Sequence, residues 1–169
     1  MSRSGTSHTN WLIILLISVA LLTVLFFTIP QFRKVQADTA STTDLAVLRE
    51  NLLADPTSVS GNWLRTLNPI VKDVQGDIVW NNTQQQGVLR IRDLPKPKAG
   101  TFYQLWLYDA RNHAGEGIAG SKVEQGTGHE ALLTLIKTDT LVQEPYKFEF
   151  KLQTAEGAHN GQILLMVQP

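Results

Sequence analysis

A glycine-rich run at residues 115–120 is the feature of the sequence that most resembles a site for chemistry. It reads GEGIAG, the G-x-G-x-x-G spacing of dinucleotide-binding loops, and Asp139 follows nineteen residues after the last glycine. Such a loop has to join a strand to a helix, because the pyrophosphate of the cofactor binds at the helix N-terminus. Residues 121–128 contain two more glycines and no helical period. The run therefore predicts a flexible hairpin loop, and no cofactor or cofactor-binding residue is assigned.

Histidine and glutamate side chains near this run suggest a metal site. His113 and Glu116 are three residues apart, and His129 and Glu130 follow. On a loop this spacing has no helical face that would bring the side chains together, and zinc normally has three or four convergent ligands. We interpret these residues as solvated loop residues and predict no metal ligand.

Nucleophilic catalysis has no candidate in this chain. Ser, His and Asp are all present, but no G-x-S-x-G motif occurs and the chain contains no Cys. The presence of these residue types alone is expected in a chain of this length. We predict no catalytic residue and no enzyme activity. Asn81, Asn82 and Thr83 match a glycosylation sequon, which we interpret as a turn.

The charge balance and the absence of cysteine exclude further classes of function. The 169 residues include 15 Lys and Arg and 15 Asp and Glu, so the formal net charge is zero. Nucleic-acid-binding proteins normally have a basic surplus that neutralises phosphates, and no nucleic-acid partner is predicted. Disulfides and Cys-ligated zinc are excluded because the chain has no Cys. The length suits one ordinary domain and an appendage.

Residues 11–29 form an uncharged apolar run that predicts a transmembrane helix. At about 1.5 Å per residue the run is roughly 28 Å long, close to the hydrocarbon thickness of a bilayer. A cleaved signal peptide is the alternative, because Val35 and Ala37 form a small-residue pattern. The run is longer than the usual signal-peptide core, and Arg33 and Lys34 would lie between it and the cut, so we favour a membrane anchor. The predicted anchor residues are Trp11, Leu12, Leu16, Leu21, Leu25, Phe27 and Ile29.

A short helix is predicted after the anchor. Residues 41–44 offer N-cap candidates, and leucines recur at helical spacing until Asp55 and Pro56 end the run. We expect a helix over residues 43–54. The sequence leaves open whether this helix is a stalk or packs on the domain.

The remaining residues are predicted to form β-strands. Tyr146, Phe148 and Phe150 alternate with polar residues, which predicts a strand with one face in the core and one in water. Residues 102–108 are apolar on both faces, as expected of a central strand that is covered on both sides. The other predicted strands are at residues 59–64, 77–80, 89–91, 132–136 and 162–167.

Turn-forming stretches, among them residues 112–120, separate these strands. About seven short strands without intervening helices predict an antiparallel β-sandwich, Ig-like in outline, and a small barrel is the alternative. The predicted organisation is a short cytoplasmic tail (1–10), a transmembrane helix (11–30), a linker with a short helix (31–56) and an extracytoplasmic domain (57–169).

Four short motifs occur in order in the middle of the chain. They read GDIVW at residues 76–80, QGVLRI at 86–91, LP at 94–95 and TFYQLWL at 101–107. This order resembles the extracytoplasmic, C-terminal domain of the bacterial anti-sigma-K factor (RskA) family, over about residues 54–169. The family-motif positions that we expect in the core are Trp80, Leu89, Ile91, Tyr103, Leu105 and Trp106.

The resemblance implies a sandwich on the periplasmic side of the bacterial inner membrane, held by a single-pass anchor in the lipid bilayer. In such regulators an inner domain binds a sigma factor, and proteolysis of the anchor releases it. Because only residues 1–10 precede the predicted anchor, we expect the cytoplasmic sigma-binding domain to be absent and sigma-factor contact to be indirect.

We therefore expect a non-enzymatic regulatory module that acts by protein–protein interaction with another membrane protein. The alternative is an accessory or structural subunit that docks on an inner-membrane complex.

Overall fold

A computed structural model of the protein describes residues 41–111, 115–154 and 161–169. Residues 41–169 belong to one compact unit. The predicted tail and anchor, residues 1–30, lie outside the described residues. No helix within the described ranges has the length and apolarity that a membrane span requires.

Helix α1 (Thr42–Ala54) is the first described element. Ser41 caps it, because its Oγ accepts a hydrogen bond from the backbone N–H of Asp44 at 3.2 Å, and the Asp44 carboxylate accepts one from the backbone N–H of Ser41, also at 3.2 Å. This reciprocal capping box satisfies backbone donors that a helix N-terminus otherwise leaves free. The predicted helix over residues 43–54 is confirmed to within one residue.

Two antiparallel sheets follow the helix. Sheet A has the strand order β1-β3-β4-β7, and sheet B has the order β2-β9-β8-β5-β6. The strands are β1 (Ser58–Asn62), β2 (Leu64–Arg65), β3 (Gln75–Asn81), β4 (Gln86–Arg92), β5 (Thr101–Asp109), β6 (Ile118–Val123), β7 (Leu132–Ile136), β8 (Pro145–Thr154) and β9 (Gln162–Val167), with a 3-10 helix at Pro69–Val71.

The core lies between the inner faces of the two sheets. Alternate residues of each strand point into it, as the pleat requires. The ring of Phe150 in β8 packs against two other rings. Its centroid lies 5.5 Å from that of Tyr103 and 6.1 Å from that of Trp63. Trp63 lies where the chain leaves β1 in sheet A and enters β2 in sheet B, and its Nε1 donates to the carbonyl of Arg90 at 3.2 Å. The crossing tryptophan thereby ties the two sheets together.

The sandwich has two ends, which we name by what they carry. The basic end is where β3 begins and β4 finishes, at Gln75 and Arg92. The hairpin end is where residues 82–85 join the same two strands. Residues 66–74 cross from sheet B to sheet A over the basic end. Residues 137–144 lie at the hairpin end, because the carboxamide of Gln85 bonds both main-chain groups of Val142, at 2.6 and 2.9 Å.

The fold confirms a mainly β protein with two antiparallel sheets, and it corrects three details. The predicted strand at residues 59–64 is two strands, one in each sheet. The glycine-rich stretch 112–120 is not all loop, since its last three residues begin β6. The polar face of β8 is not in water: Glu149, Lys151 and Gln153 are buried. The doubly covered strand at residues 102–108 is confirmed as part of β5, an interior strand of sheet B that is buried over most of its length.

Candidate functional site

The family-motif residues occupy both faces of the sheets. Five of the six expected core residues line the space between the sheets: Trp80, Leu89, Ile91, Tyr103 and Leu105. Trp106 is buried as well, but it lies on the opposite, outer face of β5, because side chains alternate along a strand. The motif TFYQLWL therefore contributes to the core with one set of residues and to the outer face of sheet B with the other.

Helix α1 covers the outer face of sheet A. Leu52 of the helix is fully buried against Val79 of β3 and Val88 of β4, and Leu48 and Leu133 pack at the edge of this small cluster. Burying one such leucine is worth roughly 1.5–3 kcal/mol. The helix is therefore an integral layer of the domain, which answers the question that the sequence left open.

A buried carboxylate ties the helix to the sheet beside this apolar cluster. Asp77 of β3 accepts hydrogen bonds from Nε and an NH2 group of Arg49 on the helix, at 3.0 and 2.8 Å. Its second oxygen pairs with Arg90 of β4. Two guanidinium groups thus share one carboxylate, and charge, as well as packing, fixes the orientation of helix α1.

A polar network closes the other end of the helix. The fully buried carboxamide of Asn81 donates to Asp55, Thr57 and Ser58 at 3.0 to 3.1 Å. Hydrogen bonds from Thr57 hold the pKa of Asp55 below its usual value. Asn81 is the sequon asparagine, and its side chain is used in joining the helix to β3. The sequence alone does not predict this role, because the residue reads as part of a turn.

Contacts at both ends fix the direction of helix α1. Arg49 meets Asp77 near the start of β3, and Asp55 meets Asn81 at its end. The helix therefore runs in the same direction as β3, and Ser41 lies at the basic end of the sandwich. The chain enters the domain at that end.

The outer face of sheet B carries a buried charge cluster made of Tyr108, Lys147, Glu149 and Lys151. Glu149 is its centre: one carboxylate oxygen lies 2.8 Å from Nζ of Lys147, and the other accepts from the Tyr108 hydroxyl at 2.6 Å and lies 2.9 Å from Nζ of Lys151. Lys151 also donates to the Tyr108 oxygen at 2.8 Å. The two lysines lie over aromatic rings as well, Lys147 at 3.9 Å from the ring centre of Tyr108 and Lys151 at 5.7 Å from that of Trp106.

The pKa values of Glu149 and Lys151 shift in the directions that favour their ion pair. Burial alone would raise the pKa of Glu149, but hydrogen bonds from Lys147, Tyr108 and Lys151 outweigh it and lower that pKa. Burial alone would lower the pKa of Lys151, and its bonds to Tyr108 and Glu149 raise it instead. Burial and the neighbouring carboxylate raise the pKa of Tyr108. All three groups hold their neutral-pH charge states firmly, so none of them is a proton-transfer group near neutrality.

A cavity of about 380 Å³ borders the charge cluster. Trp106, Tyr108 and Lys151 form one wall, and residues 115–117 form the other. Gly117 lies so close to the rings that an added Cβ would come within 2.9 Å of Trp106. Gly117, the second glycine of the G-x-G-x-x-G run, is therefore needed because its backbone packs closely against two aromatic rings.

A basic groove occupies the basic end beside sheet A. It has a volume of about 520 Å³, and Arg65, Arg90, Arg92 and His129 contribute the ionisable groups of its lining, which includes no carboxylate. Arg92 bonds Gln75, and Arg65 bonds the carbonyl of Lys72. Asp93 lies just outside, 2.8 Å from Nδ1 of His129. No local pattern in the sequence predicts this groove, since Arg65 comes from β2 whereas Arg90 and Arg92 come from β4.

The hairpin end has the opposite character. Asp109 there is buried and accepts backbone hydrogen bonds from Arg111, Gln143 and Glu144 at 2.7 to 3.0 Å. These bonds outweigh the effect of burial and hold the pKa of Asp109 below its usual value. Asp55, Asp139 and Glu144 lie at the same end. Arg111 and Lys137 lie there too, so among the described residues the hairpin end has a mixed charge with more carboxylates than basic groups.

Comparison with known proteins identifies a family for this chain. The family model described as anti-sigma-K factor rskA, C-terminal, matches residues 14–139. No curated protein and no solved structure matches the chain. The matched region begins before helix α1, includes strands β1 to β7 and ends before β8.

Proposed function

Since the chain belongs to the family of anti-sigma-K factor C-terminal domains, we propose that it is a membrane-anchored, non-enzymatic regulatory module that acts from the periplasmic side of the bacterial inner membrane. Its partner is another membrane protein, through which a signal reaches a sigma factor. The observation that carries this proposal is the family match over residues 14–139 of 169.

The match also supports the anchor. It begins at residue 14, inside the uncharged run of residues 11–29. An apolar run of that length is more stable among lipid tails than in water if it forms a helix, because a helix satisfies the backbone hydrogen bonds internally. The anchor residues Trp11, Leu12, Leu16, Leu21, Leu25, Phe27 and Ile29 are the ones that carry this part of the proposal.

The chemistry of the domain supports a binding role over an enzymatic one. Its buried ionisable groups, in the charge cluster and around Asp77, are engaged with one another at 2.6 to 3.0 Å. The lowered pKa of Glu149 and the raised pKa of Lys151 stabilise the charged forms of these two groups, whereas a general acid or base works best with a pKa near the operating pH. The polar groups thus serve to hold surfaces in shape.

Topology is tested first. A reporter enzyme that works only in the periplasm is fused after Pro169 and, in a matched chain, directly after Met1. We expect activity from the first fusion alone, because the domain is proposed to lie outside the cytoplasm. Activity from the second fusion alone would contradict the proposed orientation.

The partner is tested by purification of the intact chain in mild detergent, followed by mass spectrometry. We expect another membrane protein to co-purify, and deletion of the chain to change transcription of a sigma-factor-dependent set of genes. A chain that purifies alone as a monomer contradicts the proposal. Co-purification with a multisubunit complex, without any transcriptional change, favours the accessory-subunit alternative instead.

A further inference from the structure

An exposed apolar tip lies at the basic end of the sandwich. Leu67 is fully exposed, at 104% of its reference area, and Leu64 and Ile70 are exposed at 61% and 37%. Leu67 and Ile70 lie in the segment that crosses from sheet B to sheet A, and Leu64 lies in β2 just before it. Single exposed leucines are ordinary, but three large apolar side chains within seven residues form a patch of the kind that marks an interaction surface.

Most of the charged side chains near this apolar tip are basic, although Asp73 is an exposed carboxylate there and lies 3.5 Å from Nζ of Lys72. Arg65 is exposed next to Leu64 and lines the basic groove, and Lys72 is exposed directly after the 3-10 helix. Lys96 and Lys98 are exposed on the loop that follows Leu94 at the same end. Apolar side chains flanked by lysine and arginine are the combination that binds the interface of an anionic bilayer.

The chain also enters the domain at this end. Helix α1 runs parallel to β3, so Ser41 lies at the basic end. Ten residues, 31–40, separate the proposed anchor and its Pro30 from Ser41, and they reach at most about 35 Å when extended. A tether this short keeps the basic end at a high effective concentration near the membrane surface.

These three observations coincide at one end of the molecule. We infer that the tip formed by Leu64, Leu67 and Ile70, with Arg65 and Lys72 beside it, docks on the lipid surface of the membrane that holds the anchor. The three apolar side chains enter the headgroup region, and the basic side chains contact anionic headgroups. The inference rests on the proposed anchor and goes beyond it, since an anchored domain has no need to contact lipid.

The absence of cysteine allows a direct test in the full chain. Leu67→Cys is labelled with an environment-sensitive fluorophore, and the protein is reconstituted in vesicles of phosphatidylcholine alone or with phosphatidylglycerol. Leu141→Cys is the matched control, because Leu141 is 54% exposed and lies at the hairpin end. Quenching by spin-labelled lipid reports the depth of each fluorophore.

We expect quenching at position 67 to exceed that at position 141 by at least about twofold, and to increase with phosphatidylglycerol. Arg65→Glu and Lys72→Glu together should abolish the increase, because they reverse the charge beside the tip. Equal quenching at both positions, in a chain that stays in the vesicles, overturns the inference and leaves the anchor intact.

Two other outcomes also overturn it. Removal of the chain from the vesicles by alkaline carbonate contradicts the anchor, and the inference fails with it. Shielding of position 67 only after a second protein is added shows that the tip is a protein-docking surface.

Discussion

The outer faces of the two sheets are covered in opposite ways. Sheet A is covered by helix α1, whose Leu52 packs on Val79 and Val88. Sheet B instead carries the charge cluster on its outer face. Glu149 at the centre of the cluster is only 4% exposed, and it forms ion pairs with Lys147 and Lys151 on either side. The outer face of sheet A is stabilised by burial of apolar surface, which is not directional and tolerates small movements of the side chains. The outer face of sheet B is stabilised by hydrogen bonds, which weaken when the distance between donor and acceptor changes. The comparison predicts that the two faces respond differently to mutation, pH and salt.

The largest effect is expected on sheet A. Leu52→Ala should reduce the free energy of unfolding by about 3 kcal/mol, because it removes a fully buried side chain and leaves a cavity between helix and sheet. Urea unfolding of the reconstituted chain, followed by tryptophan fluorescence, measures this change. Val47→Ala on the exposed side of the same helix is the control, and we expect a change of less than about 0.5 kcal/mol. Equal effects would mean that the helix does not pack as described.

On sheet B, Glu149→Gln should cost about 2 kcal/mol, since it keeps the shape of the side chain but weakens the hydrogen bonds of two partly buried lysines, which lose their shared counter-charge. Glu144→Gln serves as the matched control. Glu144 pairs with Arg111 at 2.7 Å, but both side chains are more than half exposed, so we expect a loss of less than about 0.5 kcal/mol. Urea midpoints for the three proteins in low and high salt decide the comparison, and equal losses would show that the charge cluster is no stronger than a surface pair.

A smaller effect is expected at the start of the helix. Ser41→Ala removes the side chain that accepts from the N–H of Asp44 and should cost about 1 kcal/mol. Ser41→Asn keeps an acceptor and should retain most of the stability. If both variants lose stability equally, the capping box is not what holds this end of the helix.

The pH dependence gives the finest distinction between the faces. The lowered pKa of Glu149 means that its stabilisation is complete above the unfolded value of about 4.3 and is lost as the pH falls through the folded value. The raised pKa of Lys151 means that its stabilisation is complete below about 10.4 and is lost as the pH rises.

The difference in urea midpoint between wild type and Glu149→Gln should therefore be constant near neutrality and shrink on the acid side. The Leu52→Ala difference should not depend on pH. A Glu149→Gln difference that stays constant down to pH 3 would contradict the assigned ion pairs.

The sequence predicted sheet A and helix α1 better than sheet B. The helix was recognised because its cap, leucine spacing and terminating proline are all local signals. The buried polar face of β8 was not, because alternation identifies a strand but does not reveal what covers its polar side. Strand β6 was not predicted, because its first residues read as part of a glycine-rich loop. In the structure, aromatic side chains lie against Gly117 and leucine side chains against Gly120, and they leave no room for a larger residue. The anchor and the Ig-like outline remain predictions.

The basic groove and the apolar tip could not be predicted from the sequence, for a different reason. Arg65, Arg90 and Arg92 come from strands in two sheets, and only the crossing at Trp63 brings them to one end. Convergence of this kind depends on topology, which a single sequence specifies only weakly. The family resemblance, in contrast, rested on ordered motifs and was confirmed by the match over residues 14–139.

Because helix α1 covers the outer face of sheet A, it determines where a truncated form of the protein can begin. A fragment that starts at Pro56 would keep all nine described strands, yet Val79, Val88 and Leu133 would face water and Asp77 would lose one of its two arginines. Such a fragment would self-associate through this uncovered strip. A fragment designed for study therefore has to retain helix α1, and a protease that removed the helix would expose the apolar residues that it covers.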